Sequence, residues 1–137
     1  MISLKEAVKF HGHLGPYLIL GILAGEIALN KLGSKKYFGM KVKVWGANKK
    51  PKSCLIDGLQ LSTGATYGKG NIHKLNSKKI KVLFEDLKNN RKINLYLKKS
   101  LINRLKNLKN HEDSEEFARE VYKAEPLEIF DLKTYGL

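Results

Sequence analysis

Cysteine is almost missing from this 137-residue chain: Cys54 stands alone. A single thiol forms no intrachain disulfide, which excludes the small cross-linked secreted scaffolds and fits a reducing compartment. Proline is scarce as well, with only Pro16, Pro51 and Pro126. No Pro-rich linker, internal repeat or compositional break divides the chain, so residues 1–137 read as a single domain with enough length for one substantial core. A long hydrophobic run is lacking too. The most apolar stretch, residues 17–32, is interrupted by Glu26 and Asn30 and falls short of a membrane span. The first residues show no basic start, apolar run and small-residue cleavage site of a secretory signal. These absences lead us to expect a soluble, cytoplasmic protein with no membrane partner.

Acids are the next shortage. There are 13 Asp and Glu against 26 Lys and Arg, a net charge of +13. Such a surface attracts nucleic acid or anionic small molecules. Aromatics, at 9%, do not interleave with the bases in a recognition motif. One reading is therefore a lysine-rich proteome, and the other is a nucleic-acid-binding module. The second would require Lys78, Lys79, Lys81, Arg91, Lys92, Lys98 and Lys99 to gather on one face.

What is present is a regular alternation of elements. Ser3 and Glu6 have capping-box spacing ahead of a short helix over residues 4–9. Pro16 suits the first turn of a second helix, residues 16–32, which Gly33 ends in the left-handed region. Its apolar side chains run around most of the circumference, with Gly21, Ala24, Gly25 and Ala28 as a small-residue stripe. That predicts a central buried helix approached closely by another element or by a partner chain. Residues 40–47 alternate apolar and basic, as a half-buried strand does. Ser53 is placed to cap a helix over 54–62, and strands are expected at 80–84 and 92–97, joined as a hairpin through Asn89 and Asn90. Helices follow at 100–108 and 114–124, and Leu127, Ile129, Phe130 and Leu132 fold the tail back as a strand or turn. The order predicts an α+β fold, a small mixed or antiparallel sheet covered by helices.

The chemistry-bearing residues fall in two blocks. In the first, His11 and His13 flank Gly12, with Gly15 and Pro16 following. Two imidazoles separated by one residue can reach one metal ion where the backbone is irregular, or can simply close a helix end on backbone carbonyls. In the second, Cys54 begins a helix, where a thiolate has a lowered pKa and becomes a better ligand or nucleophile. Its alternative is a small buried hydrophobe. Asp57, one turn on, fits a fourth ligand, a partner orienting a histidine, or an acid favoured by the helix dipole. The loop 64–71 is glycine-rich but departs from a nucleotide-binding P-loop: no Ser or Thr follows Lys69 and the spacing is one residue short. Its amides with Lys69 fit a carboxylate or phosphate group, or else the loop is a tight connection. His73 has no evident partner, and His111 reads as surface.

Taken together, the blocks resemble a known family. Phe10-His11-Gly12-His13 with Gly15-Pro16 and Gly21 is similar to the His-Gly-His-x-Cys-Pro-Gly-x-x-x-Gly motif of the FmdE/FwdE family, named for a component of formylmethanofuran dehydrogenase. Cys54-Leu55-Ile56-Asp57-Gly58-Leu59-Gln60, then Gly64-Ala65-Thr66-Tyr67-Gly68-Lys69-Gly70-Asn71, resembles that family's Cys-x-x-Asp-x-x-Gln and Gly-Cys-Thr-x-Gly-Lys-Gly-Asn block. The resemblance implies an α+β domain, a homodimer, and a divalent transition metal, zinc above others, on His11, His13 and Cys54, with Asp57 or water completing the set. From the loop residues themselves, a small anionic ligand is expected at Lys69, Thr66, Gly68 and Asn71, lying between the metal and Lys69. The family reading leads us to expect an accessory component of a larger enzyme complex or an uncharacterised metal-dependent enzyme. A structural dimer without catalysis, joined through residues 17–32, is the other reading. Gly15 and Ala65 stand where the family has cysteines, which weakens a thiolate site, and with no cysteine after Cys54 we expect no counterpart of the cysteine-rich C-terminal zinc module of some members.

Overall fold

The apolar circumference of residues 16–32 places that segment at the centre of the molecule. In the computed structural model, which describes residues 1–137, it forms helix α2 (Pro16–Leu32), starting at Pro16 and ending at Gly33 with φ +62°. Helix α1 (Leu4–His11) precedes it, capped by Ser3, whose Oγ accepts from the Glu6 amide at 3.1 Å. Then come β1 (Met40–Trp45), α3 (Cys54–Thr63), β2 (Ile72–Leu75), β3 (Lys81–Asp86) and β4 (Lys92–Leu97). The chain closes with α4 (Lys99–Lys106), α5 (His111–Lys123), α6 (Pro126–Ile129) and β5 (Phe130–Tyr135). No helix is long and apolar enough to cross a membrane.

The sheet has the order β2-β1-β3-β4-β5, with β1 and β2 parallel and the other pairs antiparallel. The expected α+β architecture is therefore present, with a mixed sheet. One face carries Met40, Val42, Val44, Val82, Phe84, Ile93 and Leu95, all buried in the core with α2. Alternate positions such as Lys43, Leu83 and Asn94 share a row on the other face. Strand β2 has no counterpart among the expected strands because only Ile72 in it is buried, which leaves no alternation to detect.

Helix α2 and α3 lie backbone to backbone. A Cβ added to Gly21 would collide with the Leu55 carbonyl, and one added to Gly58 would collide with the Leu18 carbonyl. The buried Ser62 hydroxyl donates within this seam to the Gly58 carbonyl at 2.9 Å. The small-residue stripe of α2 thus serves α3 of the same chain, which answers the choice between an internal neighbour and a partner chain. On another side, α5 packs Phe117, Ala118 and Val121 into the core. The Tyr122 hydroxyl donates to the Ile2 carbonyl at 2.9 Å, so α5 ties down the chain before α1.

Several boundaries differ from expectation, each for a local reason. Ser53 lies in helical backbone and makes no cap, because the turn before it already supplies carbonyls: the Cys54 amide donates to Pro51 O and the Leu55 amide to Lys52 O. Helix α5 begins at His111, not at residue 114, since Asn110 accepts from the Asp113 amide at 2.8 Å. Pro126 opens the short α6, and the tail then joins the sheet as β5.

Asp86 is the one buried carboxylate of the sheet. Burial pushes its pKa up. Hydrogen bonds from Asn89, the Lys88 amide and Arg91, with the Arg91 charge, outweigh burial and hold it below the ordinary value. Arg91 also donates to the Leu32 carbonyl at the end of α2, so this group joins the β3–β4 turn to the central helix.

Two outcomes follow from this packing. Gly21→Ala should cost about 2 kcal/mol or more in urea unfolding, whereas Gly68→Ala, where a Cβ meets nothing within 4 Å, should change little. For Asp86, unfolding restores the ordinary pKa. Its stabilising effect is therefore complete above the unfolded value and fades as pH falls through the lower folded one. Asp86→Asn should destabilise the protein at neutral pH, and the gap to the parent protein in urea midpoints should close in acid.

Candidate functional site

The two blocks meet at the N-terminal end of α3. Gly12, with φ +104°, closes α1 through its amide to Val8 O at 2.7 Å and leaves His11 as the last helical residue. The chain then passes His13 and Gly15 into Pro16 of α2. Because α2 and α3 touch at Gly21 and Gly58, the first turn of α3 is carried alongside this bend. His11 Nδ1 and Asp57 Oδ2, 46 residues apart in sequence, lie 2.6 Å apart. A carboxylate only accepts, so Nδ1 carries the hydrogen and donates. In the neutral ring this leaves the lone pair on Nε2. That Nε2 is buried and has no hydrogen-bond partner.

The His11 side chain is only 10% exposed and borders a cavity of about 240 Å³. His13, Cys54, Tyr17 and His111 border it too. The His11 and His13 ring centroids are 4.8 Å apart with the planes tilted by 31°. His13 is exposed and Cys54 half-buried. No three of the chain's His, Cys, Asp and Glu side chains stand close enough together, in this arrangement, to hold an ion. His111 is exposed, as its charged surroundings predict, yet it stands at the start of α5 beside the same cavity. That placement has no local sequence signal, because it depends on how α5 packs.

Electrostatics depart from expectation at Cys54. Burial, then the Asp57 charge, push its thiol pKa up, with Lys50 opposing them. The lowered value expected of a helix start does not arise. The amides of Cys54, Leu55 and Ile56 donate to Pro51, Lys52 and Ser53, so the unpaired N–H groups that favour an anion are already occupied. Burial likewise raises the Tyr17 phenol.

The 64–71 loop is held elsewhere. It follows the C-terminal end of α3, whose ten residues separate it from Cys54 by about 15 Å. Its polar groups bond inward. Asn71 Oδ1 accepts from the Thr66 amide at 2.9 Å, Thr66 Oγ1 from the Lys69 amide at 3.2 Å, and Gln60 Oε1 from the Tyr67 amide at 2.9 Å. Asn71 Nδ2 donates to Tyr37 O at 2.7 Å. Gly68 stands in open space, and Lys69 Nζ lies over the Phe38 ring at 5.6 Å. The structure thus sets His11, His13 and Cys54 around one cavity, with Asp57 bonded to His11, and leaves Lys69, Thr66, Gly68 and Asn71 at the far end of the same helix.

These features define a class: an α+β domain with an imidazole and thiol pocket where α1 ends and α2, α3 and α5 start. More particularly, the chain belongs to the FmdE family, "FmdE, Molybdenum formylmethanofuran dehydrogenase operon", whose sequence model matches residues 10–131. Over 70 residues it is 36% identical to a probable S-adenosyl-L-methionine-binding protein of Archaeoglobus fulgidus, covering 50% of this chain and 19% of that one. The chain thus spans about a fifth of the length of that curated relative. Its fold is similar to the crystal structure of a tungsten formylmethanofuran dehydrogenase FmdE-like protein from Syntrophus aciditrophicus. The TM-score is 0.69 at 23% identity, over 98% of this chain and 70% of that one.

The position of Cys54 has a direct readout. Metal-free protein should be alkylated by iodoacetamide slowly at neutral pH, with a midpoint above the ordinary thiol range. Asp57→Asn, which removes a raising charge, should shift that midpoint down and speed the neutral reaction. An unchanged profile would show that Asp57 does not act on the thiol.

Proposed function

We propose that this FmdE-family chain is a metal-binding protein whose site is His11, His13 and Cys54. Asp57 serves to hold the His11 ring rather than to ligate. The observation that carries the reading is at His11: Nδ1 is fixed by a carboxylate while Nε2 is buried, unpartnered and beside a cavity shared with a second imidazole and a thiol. A carboxylate behind an imidazole selects the tautomer that ligates and raises its basicity. A buried nitrogen with no partner is costly unless something occupies it. The donor set of two imidazoles and one thiolate suits zinc. His13, being exposed, has freedom to turn toward His11, and His111 borders the same cavity, where it shapes access. Bound there, zinc would supply Lewis-acid chemistry with an open coordination position.

Gly15 supports the placement. The family motif carries a cysteine there, and a Cβ built on Gly15 lies 3.4 Å from His13 Nε2. A thiol at this position would face the same imidazole. The same proposal has the protein act in the cytoplasm, where Cys54 stays reduced, as a component that assembles with a second copy or a larger dehydrogenase. Tyr37, Phe38 and Tyr67, 60%, 74% and 87% exposed around the 64–71 loop, favour such assembly.

Elemental analysis and metal titration of protein purified without a histidine tag test the site. About one equivalent of a divalent transition ion per chain is expected. His11→Ala and Cys54→Ala should abolish tight binding, Asp57→Asn should weaken it by about 10- to 100-fold, and Gly15→Cys should tighten it. Sub-stoichiometric metal that none of these variants alters would overturn the proposal.

A further inference from the structure

Next to the imidazole cavity lies a larger one of about 490 Å³, between the start of β3, the end of β4 and α4. Five lysines line it, Lys52, Lys78, Lys79, Lys99 and Lys106, and no acid does. Lys52 and Lys78 also line an adjoining cavity to which Lys49 and Lys50 contribute, again without an acid. None of these ammonium groups takes part in an ion pair. The contrast with neighbouring bases is sharp. Arg91 is paired with Asp86, Lys92 with Glu85 and Lys98 with Asp131, while Lys81 stacks over Trp45 at 4.1 Å. Unneutralised charge therefore gathers on the walls of these cavities, although Lys41, Lys74 and Lys133 on the strands are without an ion pair as well.

The rest of the lining is of another kind. Ile80, Leu97 and Ile102 are apolar, and Tyr17 and Tyr96 offer flat aromatic faces, Tyr96 being 37% exposed. Like charges held around one concave volume repel one another, and an anion entering it removes that repulsion. Phosphate oxygens suit ammonium groups as point-charge partners. The volume is within the range of small-molecule sites, about 300–1,000 Å³, and aromatic faces beside a cationic rim suit a ring attached to phosphates. Tyr17 borders this cavity and the imidazole cavity alike.

We infer that the lysine-lined cavity between β3, β4 and α4 binds a small phosphorylated molecule carrying a flat ring, of the nucleoside diphosphate class. The lysines hold the phosphates, and Tyr17 and Tyr96 hold the ring. Through Tyr17, one end of such a ligand is placed next to His11, His13 and Cys54. Binding itself does not depend on a metal there.

Calorimetric titration of metal-stripped protein tests this with ADP, adenosine and an oligothymidylate as probes. Saturable binding of ADP is expected, with adenosine weaker by about tenfold or more, the equivalent of losing one charge-assisted contact. Lys79→Ala with Lys99→Ala, both at exposed positions, should weaken ADP by about tenfold or more. Lys5→Ala with Lys123→Ala, remote from the cavity, should leave it unchanged. Thermal unfolding confirms that both double variants fold. No saturation by ADP at millimolar concentration, or equal losses in the two double variants, would overturn the inference. Oligothymidylate binding more tightly than ADP would overturn it in favour of a nucleic-acid surface. Since the protein is stripped beforehand, none of these results bears on whether the histidines ligate a metal.

Discussion

The contact between Gly21 of α2 and Gly58 of α3 sets the geometry on which the site depends. Two backbones meet where neither has room for a Cβ, so the relative position of the helices is fixed by hard atoms and not by side chains that could repack. The start of α3 then has one place to be, against the bend between α1 and α2. Cys54 and Asp57 reach His11 as a consequence of that seam. The 2.6 Å approach of Asp57 to His11 reads the position of one helix against another.

Much of this was legible in the sequence. Glycine and proline mark the ends of α2, its apolar circumference announces a buried helix, and alternation reveals β1, β3 and β4. The pairing of the His-Gly-His bend with the Cys54–Asp57 turn was legible through two motifs at fixed spacing. What stayed hidden depends on tertiary placement. Strand β2 has a single buried residue, and the tail, expected to fold back as a strand or turn, does so as β5 on a partner, β4, that its own sequence does not name. His111 joins the cavity only because α5 packs on α2. The raised Cys54 pKa comes from burial, then from the Asp57 charge, and burial of the first turn of α3 is set by packing.

The two ends of α3 show how a pattern in sequence divides in space. One motif block supplies Cys54 and Asp57 at the first turn and the 64–71 loop after the last. The first end faces the histidines. The second is knit together by Asn71, Thr66 and Gln60, which lock the loop against the segment leading into β1. A helix that joins a chemical end to a scaffold end explains why such a block is long, and why adjacency along it says little about adjacency in a site.

The hydrogen bond from Tyr122 to Ile2 carries a consequence for the order in which the protein acquires its parts. Helix α1 precedes α5 along the chain, and the anchor for its leading end leaves a ribosome some 120 residues after it. The α2–α3 seam and strands β1 to β4 are built from segments made before α5, and β5 follows it. The leading end of α1 is therefore made well before its anchor and is held only after a long-range closure, the kind that is slow to form in a folding chain. Until then the contact of His11 with Asp57 can already hold the other end of α1 against α3.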